Sequence, residues 1–185
     1  MVLARSMRKV VRFPKGVSAR YDDRVLTVKG PKGEVNRTFS DPRLEMELGK
    51  DDQGNPAVTI HVDKPGRREK AMLGTWRSHV RNMVAGVGEG YEYQLKICYS
   101  HFPIKTAVKG QDVVIENFLG ERHPRMAHIR GSATKVVIKG ELVTVTGPEL
   151  EAVSQTAANI EMATRIRRFD PRVFQDGIYI IAKGR

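Results

Sequence analysis

The chain matches itself. Phe13-Pro14 recurs as Phe102-Pro103, a shift of 89, while Leu26-Thr27-Val28 recurs as Val113-Val114-Ile115 and Gly33-Glu34 as Gly120-Glu121, both shifts of 87. Further on, Pro65 aligns with Pro148 at 83, and Gly90-Tyr91 with Gly177-Ile178 back at 87. Two copies confine the fold to a duplicated small domain, because a stacked solenoid needs at least about three repeats. The expected units are 1–88 and 89–185, each large enough for its own core. Between the aligned prolines and glycines the second copy gains four residues, in a region reading Arg167-Arg168-Phe169-Asp170-Pro171-Arg172. An insertion made of positive charge in a loop serves binding more readily than packing.

Each copy offers the same elements in the same order. In the first, Val25–Val28 and Val35–Phe39 are β-rich runs around the turn Lys29-Gly30-Pro31-Lys32-Gly33-Glu34. Alternating Leu44–Leu48 and Val58–Val62 follow, joined across Asp51-Asp52-Gln53-Gly54-Asn55. Alternation gives strands with one buried face. The second copy repeats the pattern with Val113–Ile115, Met126–Ile129, Val136–Ile138 and Leu142–Val145. A helix comes next in each. Stepping 100° per residue from Arg67, the side chains Met72, Leu73, Trp76, Val80, Met83, Val84 and Val87 share an arc of about 120°, while Arg67, Lys70, Arg77 and Arg81 gather on the opposite side. The second helix is expected after Gly147, with Pro148 in its first turn, Glu149 and Glu151 near its positive end, and a stripe of Leu150, Val153, Ala157, Ile160 and Thr164. Antiparallel strands followed by one helix, twice over, define an α+β protein of two tandem homologous domains, each a small antiparallel sheet packed on one helix.

The residues for catalysis are missing. There is no Gly-Lys-Ser/Thr phosphate loop, no His-Glu-x-x-His and no Gly-x-Ser-x-Gly. Gly86-x-Gly88-x-Gly90 closes a helix where a dinucleotide loop would open one, so it reads as a C-terminal cap. Asp51–Asn55 lacks the glutamate a calcium loop needs and reads as a hairpin tip. The single cysteine, Cys98, excludes an internal disulfide and reads as a small buried hydrophobe in a strand. No apolar run reaches the ~18 residues of a membrane helix. The acid-free, basic stretch 1–21 runs into Lys9-Val10-Val11-Arg12-Phe13 and reads as a first strand with a short arm rather than a transit peptide.

What the sequence does offer is positive charge. Lys and Arg number 32 against 21 Asp and Glu, a net charge of +11; split at residue 90, the two parts carry +7 and +4. The charge collects in three places: the stripe Arg67, Lys70, Arg77 and Arg81; the loop Arg122, His123 and Arg125 continuing to His128 and Arg130; and Arg165, Arg167, Arg168 and Arg172, joined by Lys183; Lys105 is a further candidate contact. Arginine predominates there, and its planar fork suits phosphate oxygens. Aromatics make up 6%, too few for a single-strand stacking platform, which favours the backbone of folded RNA or duplex as the ligand.

Four stretches then become recognisable: Val25-Leu26-Thr27-Val28-Lys29-Gly30-Pro31-Lys32-Gly33-Glu34, His101-Phe102-Pro103-Ile104, Asn117-Phe118-Leu119-Gly120-Glu121 and Phe174-Gln175-Asp176-Gly177-Ile178-Tyr179. In this order they resemble the large-subunit ribosomal protein L-six family, in its archaeal and eukaryotic-cytosolic branch, from about Val10 to Lys183. The resemblance implies a non-enzymatic structural constituent of the large ribosomal subunit in the cytoplasm. It would bind large-subunit rRNA near the sarcin-ricin loop and the translation-factor landing region, chiefly through its second domain, with ribosomal proteins as neighbours. It implies no cofactor, small-molecule substrate or membrane partner. A free-standing nucleic-acid-binding module or an assembly chaperone would use the same basic faces; an enzyme would need a pocket holding a paired acid and base.

Overall fold

In the computed structural model the described residues are 6–50, 56–167, 169–170 and 172–184, and they form two compact units divided between Glu89 and Gly90. The first holds β1 (Ser6–Arg12), β2 (Ser18–Asp22), β3 (Val25–Gly30), β4 (Gly33–Thr38), β5 (Glu45–Lys50), β6 (Pro56–Asp63) and α1 (Arg67–Gly88). All its strand pairs are antiparallel, and they form two sheets of three, ordered β1-β6-β5 and β2-β3-β4. The helix packs on β1 and β6 of one sheet and on β3 and β4 of the other. Its buried side chains include Leu73, Trp76, Val80, Met83, Val84 and Val87, the apolar arc predicted by angle, with Met72 half-buried at the rim. Trp76 meets Phe39 edge-on with ring centroids 5.0 Å apart.

The second unit contains β7 (Tyr91–Cys98), β8 (Lys105–Lys109), β9 (Asp112–Glu116), β10 (Arg125–His128), β11 (Lys135–Lys139), β12 (Leu142–Gly147), α2 (Leu150–Ala163) and β13 (Gly177–Gly184). Its sheets are ordered β10-β9-β8 and β11-β12-β7-β13. Strand for strand this repeats the first unit, with β7, β12 and β11 standing where β1, β6 and β5 stand, and β8, β9 and β10 where β2, β3 and β4 stand. The addition is β13, which pairs with the outer side of β7. The fold is therefore α+β in two like units with antiparallel strands on one helix, the strands of each unit being shared between two sheets.

Several local expectations change. Pro148 precedes the N-cap residue Glu149, so it stops the chain before the helix instead of entering its first turn. Cys98 is half-buried rather than enclosed. The four added residues do not form a loop beyond an unchanged helix: α2 has 14 residues to α1's 22, and segment 164–176 replaces the last turns. Strands β2 and β8 carry few apolar letters, Ala19 and Tyr21 in one and Ala107 and Val108 in the other, too few for alternation to mark them in the sequence. The glycine-punctuated end of α1 is a C-terminal stop, with Glu89 donating its N–H to Ala85 and Gly90 at φ +85°. The expected hairpin tip 51–55 lies outside the described residues; the strands that flank it pair from Lys50–Pro56 inwards.

Candidate nucleic-acid interface

Arg67, Lys70, Arg77 and Arg81 are exposed on one face of α1, because its apolar arc is drawn into the core. The start of this helix is held by a carboxylate that the apolar pattern concealed. Glu69 lies on the buried side, where Arg43 donates to its Oε1 at 2.6 Å. Its carboxyl is held below the usual carboxylate range, chiefly by a hydrogen bond from its own backbone N–H; burial opposes this, and Arg43 and the Gly66 N–H add to it. A glutamate at the third helical position reaching back to the N-cap N–H is half of a capping box.

In the second unit, Arg122 and His123 are exposed between the 3-10 turn Phe118–Gly120 and β10, and Lys105 is exposed at the start of β8. The Arg125 guanidinium, expected to face phosphate, is turned to protein oxygens. Its side chain is 22% exposed; Nε and Nη2 donate to the two Glu121 carboxylate oxygens at 2.8 and 2.6 Å, and Nη1 donates to the carbonyls of Ala163 and Arg165 at 2.9 and 3.0 Å. Its guanidinium carbon also stands 4.2 Å from the centroid of the Phe118 ring. The hydrogen bonds from Arg125 hold the Glu121 carboxyl below its ordinary range; partial burial opposes this and the guanidinium charge reinforces it. His128 likewise meets a carboxylate, its Nδ1 lying 3.1 Å from Asp112 Oδ1. Arg130 is exposed beside a depression that it shares with Glu149 and Glu151, at the start of α2.

The third cluster is where basic side chains converge on one feature. Arg165 and Arg167 are exposed and, with Arg125, Met126, Met162 and Ala163, line a depression of about 400 Å³. Two apolar side chains on it are open to solvent, Met126 being 63% and Met162 57% exposed. The segment bearing these arginines is anchored at both ends. Buried Thr164 accepts the Ile178 N–H at 3.0 Å and donates to the Glu161 carbonyl, while buried Asp176 accepts the Ser100 N–H at 3.3 Å. Between them, Asp170 accepts the N–H of Arg172 through its side chain and those of Val173 and Phe174 through its carbonyl, a tight turn that leaves Arg172 exposed. Arg168 lies outside the described residues. Lys183 is exposed near the end of β13.

Charge counting missed the apolar part of this surface. Met126 and Met162 are far apart in the chain, so only the pairing of β10 with β9 and the packing of α2 on β10 bring them to one depression. Phe169 and Phe174, both exposed, meet across the Asp170 turn with ring centroids 4.9 Å apart and planes tilted by 47°. Among the described residues there is no group of three His, Cys, Asp or Glu side chains placed to hold a metal ion, and no helix long and apolar enough to cross a membrane.

Comparison with known proteins points the same way as the four sequence stretches. A model of the family described as Ribosomal protein L6 matches residues 13–90 and again residues 102–177, one match to each unit. Among similar curated proteins, the large ribosomal subunit protein uL6 of Methanobrevibacter smithii is 46% identical over 183 residues, 99% of both chains. Those of Methanosarcina mazei and Methanocella arvoryzae are 44% and 48% identical over 98% and 94% of this chain. Two family matches that follow the internal duplication, and relatives near half identity from end to end, place this chain in the ribosomal protein L6 family.

Proposed function

We propose that the chain is a structural, non-enzymatic constituent of the large ribosomal subunit in the cytoplasm, bound to large-subunit rRNA and to neighbouring ribosomal proteins. The second unit is its chief RNA contact, facing the sarcin-ricin loop and the region where translation factors land. The observation that carries this reading is the anchored segment 164–176, which projects Arg165 and Arg167 beside one depression and Arg172 from a fixed turn. Phosphate recognition asks for fixed, forked cations, and an exposed arginine on a segment tied at both ends loses less conformational freedom on binding than one on a loose loop. The stripe on α1, with Arg67, Lys70, Arg77 and Arg81, is a second basic face that serves the same polyanion, and Arg122, His123, Lys105 and Lys183 supply further donors around the second unit.

An assembly chaperone would carry similar faces, and fractionation separates the two. In a cell extract spun through a gradient after a high-salt wash, the tagged protein should travel with mature large subunits. Recovery only with precursor particles, or at the top of the gradient, would instead assign it a transient role.

A further inference from the structure

Resting on the RNA-binding reading above, we propose that Arg125 is a positioning residue: held by Glu121, it fixes where α2 ends and thereby aims the arginines of segment 164–176 at RNA, without touching RNA itself.

The donors of Arg125 are already committed. A guanidinium has five N–H groups, and four are directed at protein oxygens: two at the Glu121 carboxylate in a fork and two at the carbonyls of Ala163 and Arg165. Those carbonyls stand at the end of α2, where the last C=O groups of a helix have no partner within it. α2 is the helix that stops after 14 residues where its counterpart runs for 22. A cation on its final carbonyls supplies what the next turn would have supplied, so the chain leaves the helix at Thr164 and Arg165 emerges beside the depression.

Glu121 is placed by unusual backbone. The turn before it runs through Asn117 at φ +60°, Leu119 at φ +49° and Gly120 at φ +74°, a left-handed path that leucine rarely takes. Buried Phe118 and the bond from the Asn117 side chain to the Pro103 carbonyl hold it there. Phe118 therefore places its ring under the guanidinium, and the next residue after the turn supplies the carboxylate. The 3-10 turn and β10, neighbours in sequence, meet the distant end of α2 at one guanidinium. A lysine would not replace it, because a single ammonium cannot fork to a carboxylate and reach two carbonyls on the other side.

The sign of one substitution separates this role from simple electrostatics. Glu121→Gln removes a negative charge from a surface that meets a polyanion, so long-range attraction alone would tighten binding. A positioning role predicts the opposite, since the fork is lost and segment 164–176 is released. The probe is a transcript of the large-subunit rRNA, titrated with the full chain from 50 to 200 mM salt at a temperature where every variant is folded by circular dichroism. Glu121→Gln and Arg125→Gln should each weaken binding about tenfold, with the slope of log K against log salt unchanged, and the double variant should be no weaker than either single one. Hydrogen exchange at the amides of Thr164 and Arg165 should accelerate about tenfold or more in both variants. Binding by Glu121→Gln as tight as or tighter than wild type would overturn the proposal, as would a slope reduced by about one in Arg125→Gln, the mark of a lost phosphate contact. If the wild-type chain fails to bind the transcript, the RNA-binding reading falls, and the exchange measurement still decides whether Arg125 positions the segment: unchanged exchange in Glu121→Gln overturns it.

Discussion

A methyl group has no room at Gly30. A Cβ there would stand 2.6 Å from the Val87 carbonyl oxygen, to which Lys32 donates its N–H at 2.9 Å from the same hairpin. The β3–β4 turn thus caps the last turn of α1, and side-chain-free backbone lets it approach. Gly30→Ala should destabilise the protein by about 1–3 kcal/mol, read as a lower urea midpoint at unchanged m-value, because the hairpin must move off the helix end. The sequence announced Gly30-Pro31 as a turn; the close approach was hidden, because Val87 is remote in the chain. Arg125 teaches the same lesson from the other side. An arginine in a basic run is the same letter whether it faces phosphate or a carboxylate, and Glu121, four residues away, gives a recognisable pair signal only on a helix, which this segment is not.

At the scale of the element, the two helices were legible to different degrees. The apolar arc of α1 was readable by angle because 22 residues give six turns of evidence. What that arc could not show is Glu69, a carboxylate among buried side chains, satisfied by Arg43 from the loop before β5. Its folded-state carboxyl titrates below its ordinary value of 4.5, so its contribution is fully present above that pH and is lost as pH falls through the lowered value. The difference in thermal midpoint between wild type and Glu69→Gln should therefore be constant near neutrality and shrink below about pH 4.5; a difference that persists unchanged into acid would show that the carboxylate charge does not hold the helix start. For α2 the stripe was readable through Ile160, and Thr164 was placed on its buried side, yet the stop at Ala163 was not, because it depends on a cation from β10 and on the N–H of Ile178 in β13.

At the scale of the molecule, duplication was the most readable feature, and it accounts for the strand order of both units. Its less visible consequence is the strand that follows each helix. After α1 comes β7, the first strand of the second unit; after α2 comes β13, which lies along β7 and gives that sheet its fourth member. The long connection leading to β13 is where the chain acquires Arg165, Arg167 and Arg172, so the departure from exact repetition and the basic surface are the same event. On the function proposed above, this segment delivers its arginines to RNA phosphates. The direct test is the salt dependence of binding to the large-subunit rRNA transcript by the full chain and by Arg165→Gln/Arg167→Gln. Weaker binding is expected, with the magnitude of the log–log slope reduced by about two for the two lost contacts. An unchanged slope in the double variant would contradict it.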